Sequence, residues 1–317
     1  MLIVHAHHEP KSFCSALART AEKEFIAQGH TVDFADLYAE QFNPVSDRRN
    51  FSSVKDPDYL KQQAEEAKAT QVGGFAPELE TQIRRLETCD LLVFSFPLWW
   101  FGLPAILKGW IDRVFASGRI YGGEQIFETG LGKSRKRALA LVTTGGGALA
   151  YGGRGVQPPM DTVMAPILHG IFWFNGFLPL APFIAWSPAR ISAEERSIYL
   201  NALETRLQTI TTEPPLVIPP LADFPAWGSD TKKRFMVTVR PEGPVTDQIK
   251  TLIPAETARL VELKRMGVLL NSYLAPTDAQ PWRGFLHFRE SDIAAVRAHL
   301  QSLPLAPWLQ FEVTEVV

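Results

Sequence analysis

Three short stretches of this chain hold the residue types best suited to chemistry. The first is His5-Ala6-His7-His8-Glu9-Pro10-Lys11-Ser12-Phe13. It joins a strand-like run to a helix-like run, so backbone N–H groups and the helix dipole point at its mouth and favour a phosphate or pyrophosphate. Ser12 is placed to cap the helix and donate to a phosphate oxygen, while Lys11 and His7 add positive or donor character. His5, His7 and His8 lack a carboxylate or cysteine placed to complete a metal site, so packing or hydrogen bonding accounts for them and no metal is expected. The second stretch is Pro97-Leu98-Trp99-Trp100-Phe101, directly after the apolar run Leu91–Phe96. Large aromatics past the C-terminal end of a buried parallel strand lie where open α/β sheets bind ligands, and suit a flat aromatic one. The third is Thr143-Thr144-Gly145-Gly146-Gly147, where glycines let the backbone approach a ligand and its N–H groups bond a ring carbonyl or nitrogen. The chain has neither GxGxxG nor a Walker motif.

The elements that must position these turns follow from hydrophobic periodicity. Strands are expected at residues 2–6, 31–36, 91–96, 137–144 and 178–186. Helices are expected at 13–28, 59–69, 78–88, 104–116, 159–174 and 192–210, the last opened by a Ser192/Glu195 capping box. Alternating strands and helices imply a parallel sheet covered on both faces; a phosphate mouth, an aromatic floor and a Gly-rich clamp at three of its strand ends suit a flavin in a doubly wound, flavodoxin-like α/β sheet of order 2-1-3-4-5. Residues 213–227, EPPLVIPPLADFPAW, hold five prolines and read as a stiff linker. Beyond it come a strand at 234–239, a helix at 246–266 broken near Pro254, strands at 268–274 and 282–288, a helix at 291–302 and a strand at 308–316. That is the β-α-β-β-α-β, ferredoxin-like order of an α+β domain. The expected organisation is a flavin-binding domain at 1–211, a linker at 212–232 and a second domain at 233–317.

Composition narrows the function classes. Of 317 residues, 46% are hydrophobic and 21% charged, which fits a globular chain. Lys+Arg 32 against Asp+Glu 34 gives no basic field for nucleic acid or an anionic membrane. Two cysteines, Cys14 and Cys89, are too few for a disulfide framework. The longest apolar run, near residues 164–186, is broken by His169, Asn175, Gly176 and prolines, and reads as core. The chain is expected to be cytoplasmic, with no membrane insertion.

The segments HAHHEPKSF, FPLWWFGLPAILKGWIDRVFASG, TTGG followed by Tyr151, and LHGIFWFNGFLPLAP resemble the NAD(P)H:quinone oxidoreductase family, the flavoproteins that include DT-diaphorase. The resemblance runs from Leu2 to about Leu207. It implies a non-covalent flavin, FAD before FMN, held by His7, Ser12, Phe13, Cys14, Pro97, Leu98, Trp99, Trp100, Phe101, Thr143, Thr144, Gly145, Gly146, Tyr151 and Arg196. Cys14 stands where relatives carry an asparagine, so one polar contact is expected to be lost. The resemblance implies a ping-pong reaction in which NADPH or NADH gives a hydride to flavin N5 and a quinone takes it back. The catalytic group would be Tyr151, Gln157 and Gly146, with Tyr151 steadying charge near flavin N1. Gln157 replaces the family's histidine, so proton relay is not expected there. Arg119, Tyr121 and Phe101 would line the substrate slot, with Arg119 turned to an acidic quinone, to the cofactor phosphate or to solvent. The family site lies between subunits, so a homodimer is implied.

Residues 233–317 resemble the small YCII and muconolactone-isomerase type of ferredoxin-like protein. His287, Arg240 and Glu242 would be the acid–base candidates there, with a dimerising or lid-forming role as the plainer reading. Two other functions fit the same segments: a regulatory flavoprotein subunit of a transporter, and a reductase in aromatic-compound degradation with an accessory C-terminal domain.

Overall fold

The computed structural model describes residues 1–152, 155–224, 232–275 and 282–316. The chain forms two compact units, Met1–Val217 and Ile218–Val317. The boundary falls inside the Pro-rich stretch expected to be a linker; its residues 225–231 lie outside the described residues.

The first unit runs β1 (Leu2–His5), α1 (Phe13–Ala27), β2 (Asp33–Asp36), α2 (Gln62–Val72), α3 (Pro77–Thr88), β3 (Leu91–Pro97), α4 (Ala105–Val114), β4 (Arg137–Thr143), α5 (Met160–Ile167), β5 (Leu178–Pro179), β6 (Phe183–Ala185) and α6 (Ala193–Leu207). The sheet is parallel, in the order β2-β1-β3-β4-β5, and β6 also pairs with β4. The expected last strand is therefore two short strands in one sheet position, separated at Leu180-Ala181-Pro182, where a proline cannot donate to the ladder. The expected helix at 159–174 ends its regular turns at Ile167 and continues as a π turn, Leu168–Phe172.

Strand alternation builds the two cores. Leu92, Phe94 and Phe96 of β3 pack with Trp110 and Ile111 of α4 and Leu79 and Ile83 of α3. Leu91 and Val93 point the other way, against Leu17, Ala21 and Phe25 of α1 and Leu203 and Leu207 of α6. Both faces of the sheet are thus covered, which is why its strands read as continuous apolar runs. The capping box at α6 forms as expected, with the Glu195 N–H donating to Ser192 Oγ and the Ser192 N–H to Glu195 Oε2.

The second unit contains β7 (Lys233–Pro241), α7 (Asp247–Arg265), β8 (Leu269–Leu274), β9 (Gly284–Glu290), α8 (Ile293–Gln301) and β10 (Leu309–Val316). Its antiparallel sheet has the order β10-β7-β9-β8, an α+β arrangement with its own core around Phe235, Val237, Leu263, Leu286, Phe288 and Leu300. Helix α7 continues through Pro254, contrary to the expected break. The imagined acid–base set does not assemble. His287 sits opposite Met236 on β7, four residues, or roughly 13 Å, from Arg240 along that strand. Arg240 pairs with Glu312 at 3.3 Å.

Candidate functional site

The turn after β1 is organised by Glu9. Its N–H donates to His7 Nδ1 at 3.0 Å, its Oε1 accepts the Lys11 N–H at 2.8 Å, and its carbonyl accepts the Ser12 N–H at 3.0 Å. Ser12 caps α1 as expected, its Oγ accepting the Ser15 N–H at 3.1 Å. Helix geometry leaves the N–H groups of Phe13 and Cys14 without intrahelical acceptors, facing the mouth of the turn. Burial, and His8 beside it, hold the His7 imidazole below its ordinary pKa, so His7 contributes hydrogen bonds rather than charge at neutral pH. The Cys14 side chain does not reach the mouth. It is buried, with Sγ 3.8 Å from Ser95 Oγ, and burial pushes its thiol up to about 12. Any contact from Cys14 to a ligand is therefore through its backbone.

The turn after β3 is tight. The Gly102 N–H donates to Trp99 O at 3.0 Å, and the two residues between them have left-handed backbones, Trp100 at φ 51° and Phe101 at φ 60°. Large side chains in this region cost about 1–2 kcal/mol each, and such strain clusters at functional sites. Trp100 is 97% exposed. Trp99 leans on the first turn, with ring centroids 5.9 Å from His7 and 5.7 Å from His8.

The turn after β4 completes the group. Pro97 pairs with Thr143, and the Leu98 N–H donates to Thr143 O at 2.8 Å. Thr144 Oγ1 donates to Gly146 O at 2.8 Å and accepts the Ser187 N–H at 3.3 Å. Tyr151 folds back over this turn. A Cβ on Gly146 would stand 3.2 Å from its ring, whereas one on Gly145 would meet nothing within 4 Å. The Tyr151 ring lies 6.3 Å from Phe101 and 5.4 Å from Trp186. The Gln157 N–H donates to Ala150 O at 2.9 Å, which draws it back toward Tyr151. Arg196, in α6, spends Nη1 on the carbonyls of Pro188 and Ile191. The sequence pattern does not single out Glu9, Trp186 or Ser187: Glu9 acts through bonds to residues within three positions of it, whereas Trp186 and Ser187 reach Tyr151 and Thr144 only through the fold.

The three turns thus lie at one edge of a parallel sheet whose sequence resembles that of known proteins. The family model for the flavodoxin-like fold matches residues 1–207. The chain is 38% identical to ribosyldihydronicotinamide dehydrogenase [quinone] of Homo sapiens over 217 residues, 68% of this chain and 94% of that protein. It is 35% identical to NAD(P)H dehydrogenase [quinone] 1 of Rattus norvegicus over 224 residues, 70% and 81% of the two chains. The chain belongs to the flavodoxin-like NAD(P)H:quinone oxidoreductase family. A solved structure of a candidate quinone reductase from Klebsiella pneumoniae superposes with a TM-score of 0.65 at 33% identity, covering 68% of this chain and 85% of that one.

Two slot residues inferred from the family are engaged elsewhere. Arg119 is not turned to solvent or to a free ligand position. It bonds two of the three carboxylates of α3, Glu80 at 2.6 and 3.0 Å and Glu87 at 2.8 and 2.9 Å. Within this chain the guanidinium is paired with these two carboxylates rather than left unpaired toward a ligand position. Tyr121 lines a separate cleft of about 490 Å³ with Gln63, Glu66, Ile171 and Phe174. Its hydroxyl is 3.2 Å from Gln63 Nε2. The described residues contain no cluster of three or more His, Cys, Asp or Glu able to hold a metal ion. None of their helices is long and apolar enough to cross a membrane.

Proposed function

We propose that this chain is a flavin-dependent NAD(P)H:quinone oxidoreductase that carries out two-electron reduction by a ping-pong route. The observation that carries the reading is the meeting of the turns after β1, β3 and β4 at one edge, with Gly145 open and Trp100 held exposed on a strained backbone. Those features fit a flavin: the α1 N-terminus and Ser12 suit a phosphate, Pro97 to Phe101 give an apolar wall, and residues 143–146 give a backbone edge for the ring. The flavin supplies a ring nitrogen that accepts hydride from reduced nicotinamide and returns it to a quinone. FAD is the form that the family resemblance implies.

The protein's own part is binding and electrostatics. Thr144, fixed by Gly146 and Ser187, sets the backbone at the ring edge. Tyr151, wedged between Phe101 and Trp186, presents a phenol donor beside the same turn. A donor placed where charge develops lowers the barrier. The Gln157 side-chain amide offers a donor that does not titrate near neutral pH. Trp100 and Phe101 offer flat faces against which nicotinamide and quinone stack in turn.

Tyr121 lies apart from this group within one chain. A homodimer in which the Tyr121–Phe174 cleft of one subunit faces the Trp100–Tyr151 group of the other accounts for that separation. It also accounts for the exposed apolar surface of Trp100, Leu149 and Val156. The test is direct. Purified full-length protein should carry extractable FAD and oxidise NADPH or NADH in the presence of a quinone; a colourless protein that binds neither FAD nor FMN would refute the reading.

A further inference from the structure

His5 is the last residue of β1 and lies beneath the phosphate-type turn, 2% exposed. Both ring nitrogens reach hydroxyls: Nε2 is 3.0 Å from Ser15 Oγ, and Nδ1 is 3.2 Å from Ser95 Oγ on β3. Ser15 Oγ donates to Glu9 O at 2.9 Å and lies 3.0 Å from Ser12 Oγ. Four residues from three elements thus form one buried chain, Ser95–His5–Ser15–Ser12, that ends at the side chain facing the mouth. In-register pairing of His5 with Ser95 and the placing of Ser15 one turn into α1 build it.

The proton count gives this chain a direction. A neutral imidazole has one donor and one acceptor nitrogen. With the proton on Nε2, His5 donates to Ser15, Ser15 donates to Glu9 O, and Ser95 donates to Nδ1. Ser12 then accepts the Ser15 N–H and keeps its own proton for a ligand. The opposite tautomer takes the Ser15 proton away from Glu9 and draws the Ser12 hydroxyl inward onto Ser15. The Ser95 hydroxyl has a second acceptor within reach, Cys14 O at 3.4 Å; the Nε2–H tautomer follows from keeping the shorter bond from Ser15 Oγ to Glu9 O.

We infer that His5 is a positioning residue: through Ser15 it fixes the Glu9–Ser12 turn and aims the Ser12 hydroxyl at the phosphate of a flavin nucleotide. This rests on the proposed flavin site. The group held is a phosphate ester, so the effect should follow the phosphate and not the isoalloxazine ring. Core packing alone would not make that distinction.

The experiment titrates the flavin-stripped full-length chain with FAD, FMN and riboflavin. Loss of one hydrogen bond to a charged phosphate weakens binding by about tenfold. Ser15→Ala and His5→Leu should each weaken FAD and FMN by about that factor and leave riboflavin within about twofold. His5→Gln, which keeps a side-chain donor and acceptor, should recover most of the loss. Ser15→Ala removes only one oxygen, so it keeps the test decisive if His5→Leu fails to fold. Equal weakening of all three flavins, or unchanged FAD and FMN affinity in Ser15→Ala, would overturn the inference. A wild-type chain that binds none of the three would instead refute the flavin site itself, and the inference with it.

Discussion

Replacing Trp100 with glycine should stabilise the flavin-free protein while impairing its chemistry. Trp100 sits at φ 51° and is 97% exposed. A tryptophan presents at most about 250 Å², so the few per cent that is buried here contributes only about 0.2 kcal/mol. The left-handed backbone costs roughly 1–2 kcal/mol for a side chain with a Cβ, and glycine removes that cost. Greater freedom of glycine in the unfolded chain takes back about 0.4–1 kcal/mol. The net gain is centred on about 0.6 kcal/mol. For a unit of this size each kcal/mol moves Tm by about 2–4 °C, so the Met1–Val217 transition should rise by about 1–2 °C. Trp100→Ala keeps a Cβ in the same backbone conformation and should give no gain. In the flavin-loaded protein, Trp100→Gly should cost about 2- to 10-fold in kcat/KM through the lost stacking face, which is worth about 0.5–1.5 kcal/mol. The assay is a thermal melt of stripped wild-type, Trp100→Gly and Trp100→Ala proteins, alongside turnover of the loaded forms. A stripped Trp100→Gly protein that melts at or below wild type would refute the strain argument.

Three further outcomes follow from the same geometry. Arg119→Met leaves Glu80 and Glu87 facing each other and should destabilise by about 1–3 kcal/mol, read by urea denaturation, with kcat per folded molecule unchanged. The bonds from Arg119 and then Arg84 hold the Glu80 carboxyl below its ordinary range, so wild-type stability is present above that range and falls as pH drops through the lowered value; the variant should lose the larger part of this acid slope and keep the part due to Arg84. Burial lowers His5 from 6.5 to about 4, opposed by Asp36 and assisted by His7 and Arg19. Its contribution is full above 6.5, declines toward pH 4 and levels below it, a total of about 3 kcal/mol, and His5→Gln should flatten stability-versus-pH curves over that window. Tyr151→Phe should retain flavin and slow reduction by NAD(P)H by about 10- to 100-fold in rapid mixing; an unchanged rate would remove the tyrosine from its proposed role.

Much of the fold was legible because its signals are local. The β3 run ends at a proline, the Ser192/Glu195 box marks a helix start, and the alternation of strands and helices marks a parallel sheet covered on both faces. What was not legible depends on contacts made across the chain. Nothing local marks Trp100 and Phe101 as left-handed, because the turn uses no glycine where its backbone requires one. Arg119 looked available because Glu80 and Glu87 precede it by more than thirty residues and come into reach only when α3 packs beside the loop after α4. His5 read as an ordinary strand histidine; only the pairing of β1 with β3 and the docking of α1 join it to Ser95 and Ser15. Pro254 lies inside an unbroken helix, where the sequence pattern predicts a break.

The most direct test of the account is the reductive half-reaction on its own. Anaerobic mixing of the purified, flavin-loaded chain with NADPH or NADH, without quinone, should bleach the flavin spectrum in a single turnover. Later addition of quinone should restore it with two electrons transferred. A flavin spectrum that neither nucleotide bleaches before quinone is added would contradict the central claim.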